Sequence, residues 1–146
     1  MPITLFTIGF AGKTAERFFT LLEEEGVRTL ADIRLRPNGQ LGGYARHPDI
    51  AFLLSRIVPG CAYRALPELA PTAEILDAFR RDKDWDAYVA AFEALMDERG
   101  VPAMLDPAAF DRACLLCSEP APDRCHRRLV AERLQAAWPD VEVRHL

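Results

Sequence analysis

The sequence predicts an α/β fold in which a mostly parallel central sheet carries helices on both faces. Three observations predict it. Short apolar, β-branched segments alternate along the chain with segments of helical periodicity. The first strand, helix and second strand fit within about 30 residues, the span of a right-handed βαβ unit with parallel strands. Late in the chain, DRACLLCSE (111–119) is near-continuously apolar, as a strand covered on both faces should be, and is expected to be central.

Each element has its own signal. ITLFTIG (3–9) is β-branched and apolar and stops at a glycine, which reads as a buried strand. Thr14 is placed to cap a helix whose Phe18, Leu21, Leu22 and Glu25 recur at helical spacing, and Gly26 ends it. RTLADIR (28–34) is the second strand. RPNGQLGGYARHP (36–48), with two prolines and three glycines, is a loop. A short helix over 49–58 places Ile50, Leu53, Leu54 and Ile57 on one face, and AYRAL (62–66) is a third strand. Helices follow over 68–81 and 85–100; in the latter, Trp85, Tyr88, Val89, Phe92, Leu95 and Met96 form one core-facing stripe. The strand over 111–119, a helix over 124–137 and a last strand over 141–146 complete the chain.

The 146 residues suit a single domain, 1–146. Half are hydrophobic and 27% are charged, a globular balance. The net charge of −4 lacks the basic footprint of a duplex-binding protein. Lys13 and Lys83 are the only lysines; every other cation is arginine, which pairs with phosphate in a bidentate way. The opening MPITLFTIGF has no basic leader, and its apolar run is too short for a membrane span. A cytoplasmic protein with four reduced cysteines is therefore expected, with no membrane partner.

Ligands of parallel α/β sheets sit outside the carboxyl ends of the strands. That rule selects the loops after Ile8, Ile33 and Cys117, where charged and polar residues concentrate. Cys114 and Cys117 spell C-x-x-C, but inside a strand positions i and i+3 face opposite sides, so the two cannot share an ion or a disulfide. Cys117, Cys125 and His126 are the better set, since a short connection joins strand end to helix start. They would suit zinc, although their spacing matches no known zinc module. His126 shares a helix face with Leu129, Val130 and Leu134, so it turns toward the sheet. It lies at the positive end of the helix dipole, which favours anions and lowers the pKa of a neighbouring thiol such as Cys125. A histidine that simply satisfies a backbone carbonyl reads equally well there. Asp123 is expected to cap this helix.

Asp32, Arg34 and Arg36 share one face of the second strand and its exit, as an internal ion pair or a pocket wall. Tyr44 could stack on a flat anionic ligand. Neither GQLGG nor GFAGKT follows the P-loop pattern.

Three segments carry a resemblance: TIGF opening the first strand's exit, DIRLRP closing the second, and CSEPAPDRCHRRLVAERL near the end. Together they resemble the family known as domain of unknown function 488, whose members show TIG-x-S, D-V-R-x-x-P and C-x-E-x-x-P-x-x-C-H-R. The chain departs from that pattern at Ala11, where a small hydroxyl residue is usual, and at Leu69-Ala70-Pro71, where L-G-G is usual. The resemblance implies a Rossmann-like α/β domain and no particular chemistry.

The expected site is an anion pocket at the strand ends. Gly9, Asp32, Arg34, Arg36, Tyr44 and Arg127 are its ligand-binding candidates, and Cys117, Glu119, Cys125 and His126 its reactive ones. A nucleotide, or a base in single-stranded nucleic acid, suits such a pocket. In an enzyme His126 or Glu119 would move a proton and Cys125 would be the nucleophile. Two alternatives stay open: a non-catalytic binding module, and a structural metal site at Cys117, Cys125 and His126. Cofactor, substrate and oligomeric state have no sequence signal.

Overall fold

A computed structural model describes residues 2–146. Its elements, in chain order, are β1 (Ile3–Gly9), α1 (Ala15–Glu24), β2 (Thr29–Asp32), α2 (Asp49–Ile57), β3 (Ala62–Ala65), α3 (Ala73–Asp82), α4 (Trp85–Arg99), β4 (Ala113–Cys117), α5 (His126–Ala137) and β5 (Val141–His145). The five strands form one parallel sheet in the order β3-β2-β4-β1-β5. This is the Rossmann-like α/β architecture. β4 is central, as its uninterrupted burial requires.

Alternating side chains divide the core between the two faces. On one face Phe6, Ile8, Leu30, Cys114 and Leu116 pack against Phe18, Phe19 and Leu22 of α1 and Ile50 and Leu54 of α2. On the other, Leu5, Ala31, Ala113 and Leu115 pack against Tyr88, Phe92 and Met96 of α4 and Leu129, Val130 and Leu134 of α5. Cys114 is thus core on the first face, while Cys117 ends the same strand on the second.

Several element boundaries differ from the sequence reading. The helix expected over 68–81 is split: Pro67–Leu69 is a 3-10 turn, and α3 starts only at Ala73. Pro71 lacks the N–H a continuous helix needs, and Thr72 caps the new start by accepting from the Ile75 amide at 3.2 Å. β2 and β4 are shorter than expected because their flanking residues turn into loops at the strand ends. α5 begins at His126 rather than 124, and its N-cap is Cys125, which makes no side-chain capping bond. Asp123 therefore does not cap it; it lies two residues before the cap, exposed to solvent.

β4 sits between β1 and β2, so the carboxyl ends of these three strands adjoin. The Phe10 amide donates to the Cys117 carbonyl at 3.2 Å, and the Ile33 amide to the Leu116 carbonyl at 3.3 Å. The switch from helices on one face to helices on the other falls here, where parallel sheets open a crevice. Among the described residues no helix is long and apolar enough to cross a membrane.

Candidate functional site

The floor of the crevice is a cluster of three buried side chains. Cys117 ends β4; Cys125 and His126 open α5. One ligand atom from each lies within 4.8 Å of the others. The connection between them is held down from below. Arg127, fully buried, donates through Nη1 to the Glu119 carbonyl at 2.5 Å and through Nε to the Thr7 hydroxyl at 3.3 Å. His126 is fixed from the side: its Nε2–H donates to the Ile33 carbonyl at 2.6 Å. In the neutral ring that bond leaves the lone pair on Nδ1, which faces the Cys117 sulfur at 3.7 Å.

The sulfur atoms are electrostatically unequal. A hydrogen bond from the Cys125 thiol lowers the Cys117 pKa well below the ordinary thiol value; His126 in its protonated form, through its charge and its Nδ1–H, and the Glu119 amide act in the same direction, against burial. Cys125 is pushed up, first by donating that bond to Cys117 and then by burial. The sequence reading placed the low-pKa thiol at Cys125, on the helix dipole; contact with imidazole and thiol outweighs the dipole and moves it to Cys117. Burial works to lower the His126 pKa, but the adjacent Cys117 sulfur overrides it and the net shift is upward. Cys114, fully buried in the opposite core, is raised well above the thiol range by desolvation.

Above this floor lies a cleft of about 810 Å³. Phe10 forms one side, and the exit of β2 with its loop (Arg34, Leu35, Arg36, Pro37) a second. Leu76, Phe79 and Arg80 of α3, Lys83 at its C-cap and Tyr88 of α4 form a third, and Ser118, Glu119 and Arg124 lie beside the floor. Five cations border the cleft, Arg34, Arg36, Arg80, Lys83 and Arg124, against one carboxylate, Glu119.

The family described as Domain of unknown function DUF488 matches residues 14–134, the span holding the floor and every wall of the cleft except Phe10. The chain belongs to the DUF488 family. Comparison with curated proteins and with solved structures returned no match.

Within this DUF488 fold, the predicted site residues separate into two groups. Cys117, Glu119, Cys125, His126, Arg34 and Arg36 border the cleft. Gly9, Asp32, Tyr44 and Arg127 do not, and each has a structural partner instead. A Cβ on Gly9 would collide with the Glu119 carbonyl and lie 2.7 Å from Arg127 Nη1, so only glycine lets that loop cross the end of β1. Asp32 is buried under Arg34, which donates to both its oxygens at 2.8 Å, and Tyr63 adds a third bond at 2.5 Å. The Tyr44 hydroxyl bonds the Phe10 and Lys13 carbonyls, and its ring packs on Phe18 and Phe19, on the far face of the sheet from α3 and α4. Arg127 gives its donors to loop carbonyls. Sequence reasoning missed the wall from α3 and Tyr88. The signal was present in Arg80 and Lys83 at the end of a helix, but nothing local shows that this helix leans over the strand ends.

Proposed function

We propose that the cleft binds a small anionic ligand of the nucleotide class, with its far end directed at the thiol–imidazole floor. One observation carries this reading: a chain of net charge −4 gathers five cations and a single carboxylate around one cleft. Arg34 is neutralised by Asp32, whereas Arg36, Arg80, Lys83 and Arg124 take part in no ion pair among the described residues. These four form a rim for a phosphate or carboxylate. Phe10, Phe79 and Tyr88 line the same cleft and give it aromatic, apolar surface for a flat body. The volume falls in the range typical of small-ligand sites, roughly 300–1,000 Å³. A base at the end of a single strand fits the same description, while a duplex does not.

Calorimetry with inorganic pyrophosphate and with nucleoside mono- and diphosphates tests the proposal. The nucleotides should bind more tightly than pyrophosphate, because only they use the aromatic walls. At 100 times the dissociation constant, a ligand adds about 2.7 kcal/mol of stability, visible as a thermal shift. The double variant Arg80→Gln/Lys83→Gln should weaken binding about tenfold or more, near 1.4 kcal/mol. Absence of binding by every anion, or an affinity indifferent to that double change, overturns the reading.

A further inference from the structure

We infer that Cys117, Cys125 and His126 form a Cys₂His site for a zinc-class divalent metal, with its fourth position open to the cleft. The geometry comes first. A tetrahedral ion with metal–sulfur bonds of about 2.3 Å and metal–nitrogen bonds of about 2.0 Å has ligand–ligand edges of roughly 3.5–3.8 Å. The Cys117 sulfur and His126 Nδ1 are already 3.7 Å apart, and all three ligand atoms lie within 4.8 Å. Closing the remaining distance takes side-chain adjustments of under about 1 Å at positions anchored by β4 and α5.

The imidazole is the second argument. A metal-bound histidine donates its other ring N–H to a carbonyl or carboxylate, which sets the tautomer and aims the lone pair. His126 does this, with Nε2 on the Ile33 carbonyl and Nδ1 toward the sulfur atoms. The donor set decides the class of ion. Two thiolates and an imidazole suit zinc and its neighbours and disfavour the oxygen-seeking magnesium and calcium.

The open position is the third. A purely structural zinc has four protein ligands, whereas a catalytic one has three and leaves a place for water or substrate. Among the described residues only these three form such a group, and all three border the cleft. A water, or an oxygen of the bound anion, then completes the tetrahedron at the base of the cationic walls. This role in ligand chemistry rests on the anion-cleft reading; metal binding itself does not.

The test uses the full chain, reduced, stripped with a chelator and titrated with Co²⁺. One equivalent should bind, with thiolate-to-cobalt charge-transfer absorption and the intense visible bands of tetrahedral cobalt, and Zn²⁺ should displace it. Cys117→Ser and Cys125→Ser should each cut affinity by more than about 100-fold, beyond the loss caused by disturbing outer partners of a ligand. Cys61→Ala, on the other face of the sheet, should leave it unchanged. Should the serine variants misfold, the wild-type chain still answers: Zn²⁺ should slow alkylation of Cys117 and Cys125 about tenfold or more. Failure of the wild-type chain to bind cobalt stoichiometrically overturns the site, as does full binding by the double serine variant. Nucleotide binding measured on the stripped protein reports separately on the cleft, so the two readings can fail independently.

Discussion

Asp32 and Gly9 show how a residue that looks functional can be fully occupied by the fold. Asp32 is held by Arg34 and Tyr63 at the exit of β2. Both members of the ion pair are almost wholly buried, so removing one leaves an uncompensated charge. Asp32→Asn should cost about 3–5 kcal/mol in urea unfolding, and adding Arg34→Met should recover most of it. If the double variant is no more stable than the single one, the pair is not the unit that matters. Gly9 has a different constraint. Its backbone is ordinary strand, and the obstacle is the Glu119 carbonyl lying where a Cβ would go. Gly9→Ala should therefore cost about 3 kcal/mol, the upper part of the range for overpacked sites, because backbone cannot rotate away as a side chain can. A loss within about 0.5 kcal/mol, the scatter of neutral surface changes, would show that the loop yields.

The connection from β4 to α5 is braced by a chain of polar contacts running back to the sheet edge. Arg127 donates to the Glu119 carbonyl and to the Thr7 hydroxyl, and that hydroxyl lies 2.6 Å from His145 Nδ1 on β5. Arg127 can only donate, so the Thr7 hydroxyl accepts from it and keeps its own proton for His145 Nδ1, a bond made when that nitrogen is unprotonated. Desolvation lowers the His145 pKa below its ordinary value of 6.5, and Arg127 and Arg128 of α5 lower it further; Glu132 of α5 and Asp123 of the connecting loop pull it up. The unfolded chain therefore binds the proton more readily than the folded one. Stability from this histidine is complete above the unfolded value and declines as pH falls through it. Urea midpoints at about pH 7.5 and about pH 5 should fall further for wild type than for His145→Gln, whose amide accepts the same bond without titrating. Equal falls in the two proteins would remove His145 from the brace.

Strand identity, helix positions and the central place of β4 were legible because they depend on local period and on continuous apolar runs. The convergence of Cys117, Cys125 and His126 was legible too, since it follows from strand ends meeting helix starts. The strand order, the α3 wall and the choice of Cys117 over Cys125 were not, because each depends on contacts between segments far apart in sequence. The whole molecule adds a consequence that no segment carries alone. The two cores lie on opposite faces of one sheet, with Phe18 in the first and Phe92 in the second. Both tryptophans, Trp85 and Trp138, pack only against the second. Because β1 and β4 supply side chains to both cores, losing one core should unravel the strands that hold the other. Phe18→Ala and Phe92→Ala should each cost about 3–5 kcal/mol. The informative variant is Phe18→Ala, which touches the face without a tryptophan. Its urea transition should shift equally by tryptophan fluorescence and by far-ultraviolet circular dichroism, as a single cooperative unit requires. A fluorescence midpoint that stays in place while the dichroism moves would mean that the two faces unfold separately, and that the strand ends beneath the cleft are not held from both sides.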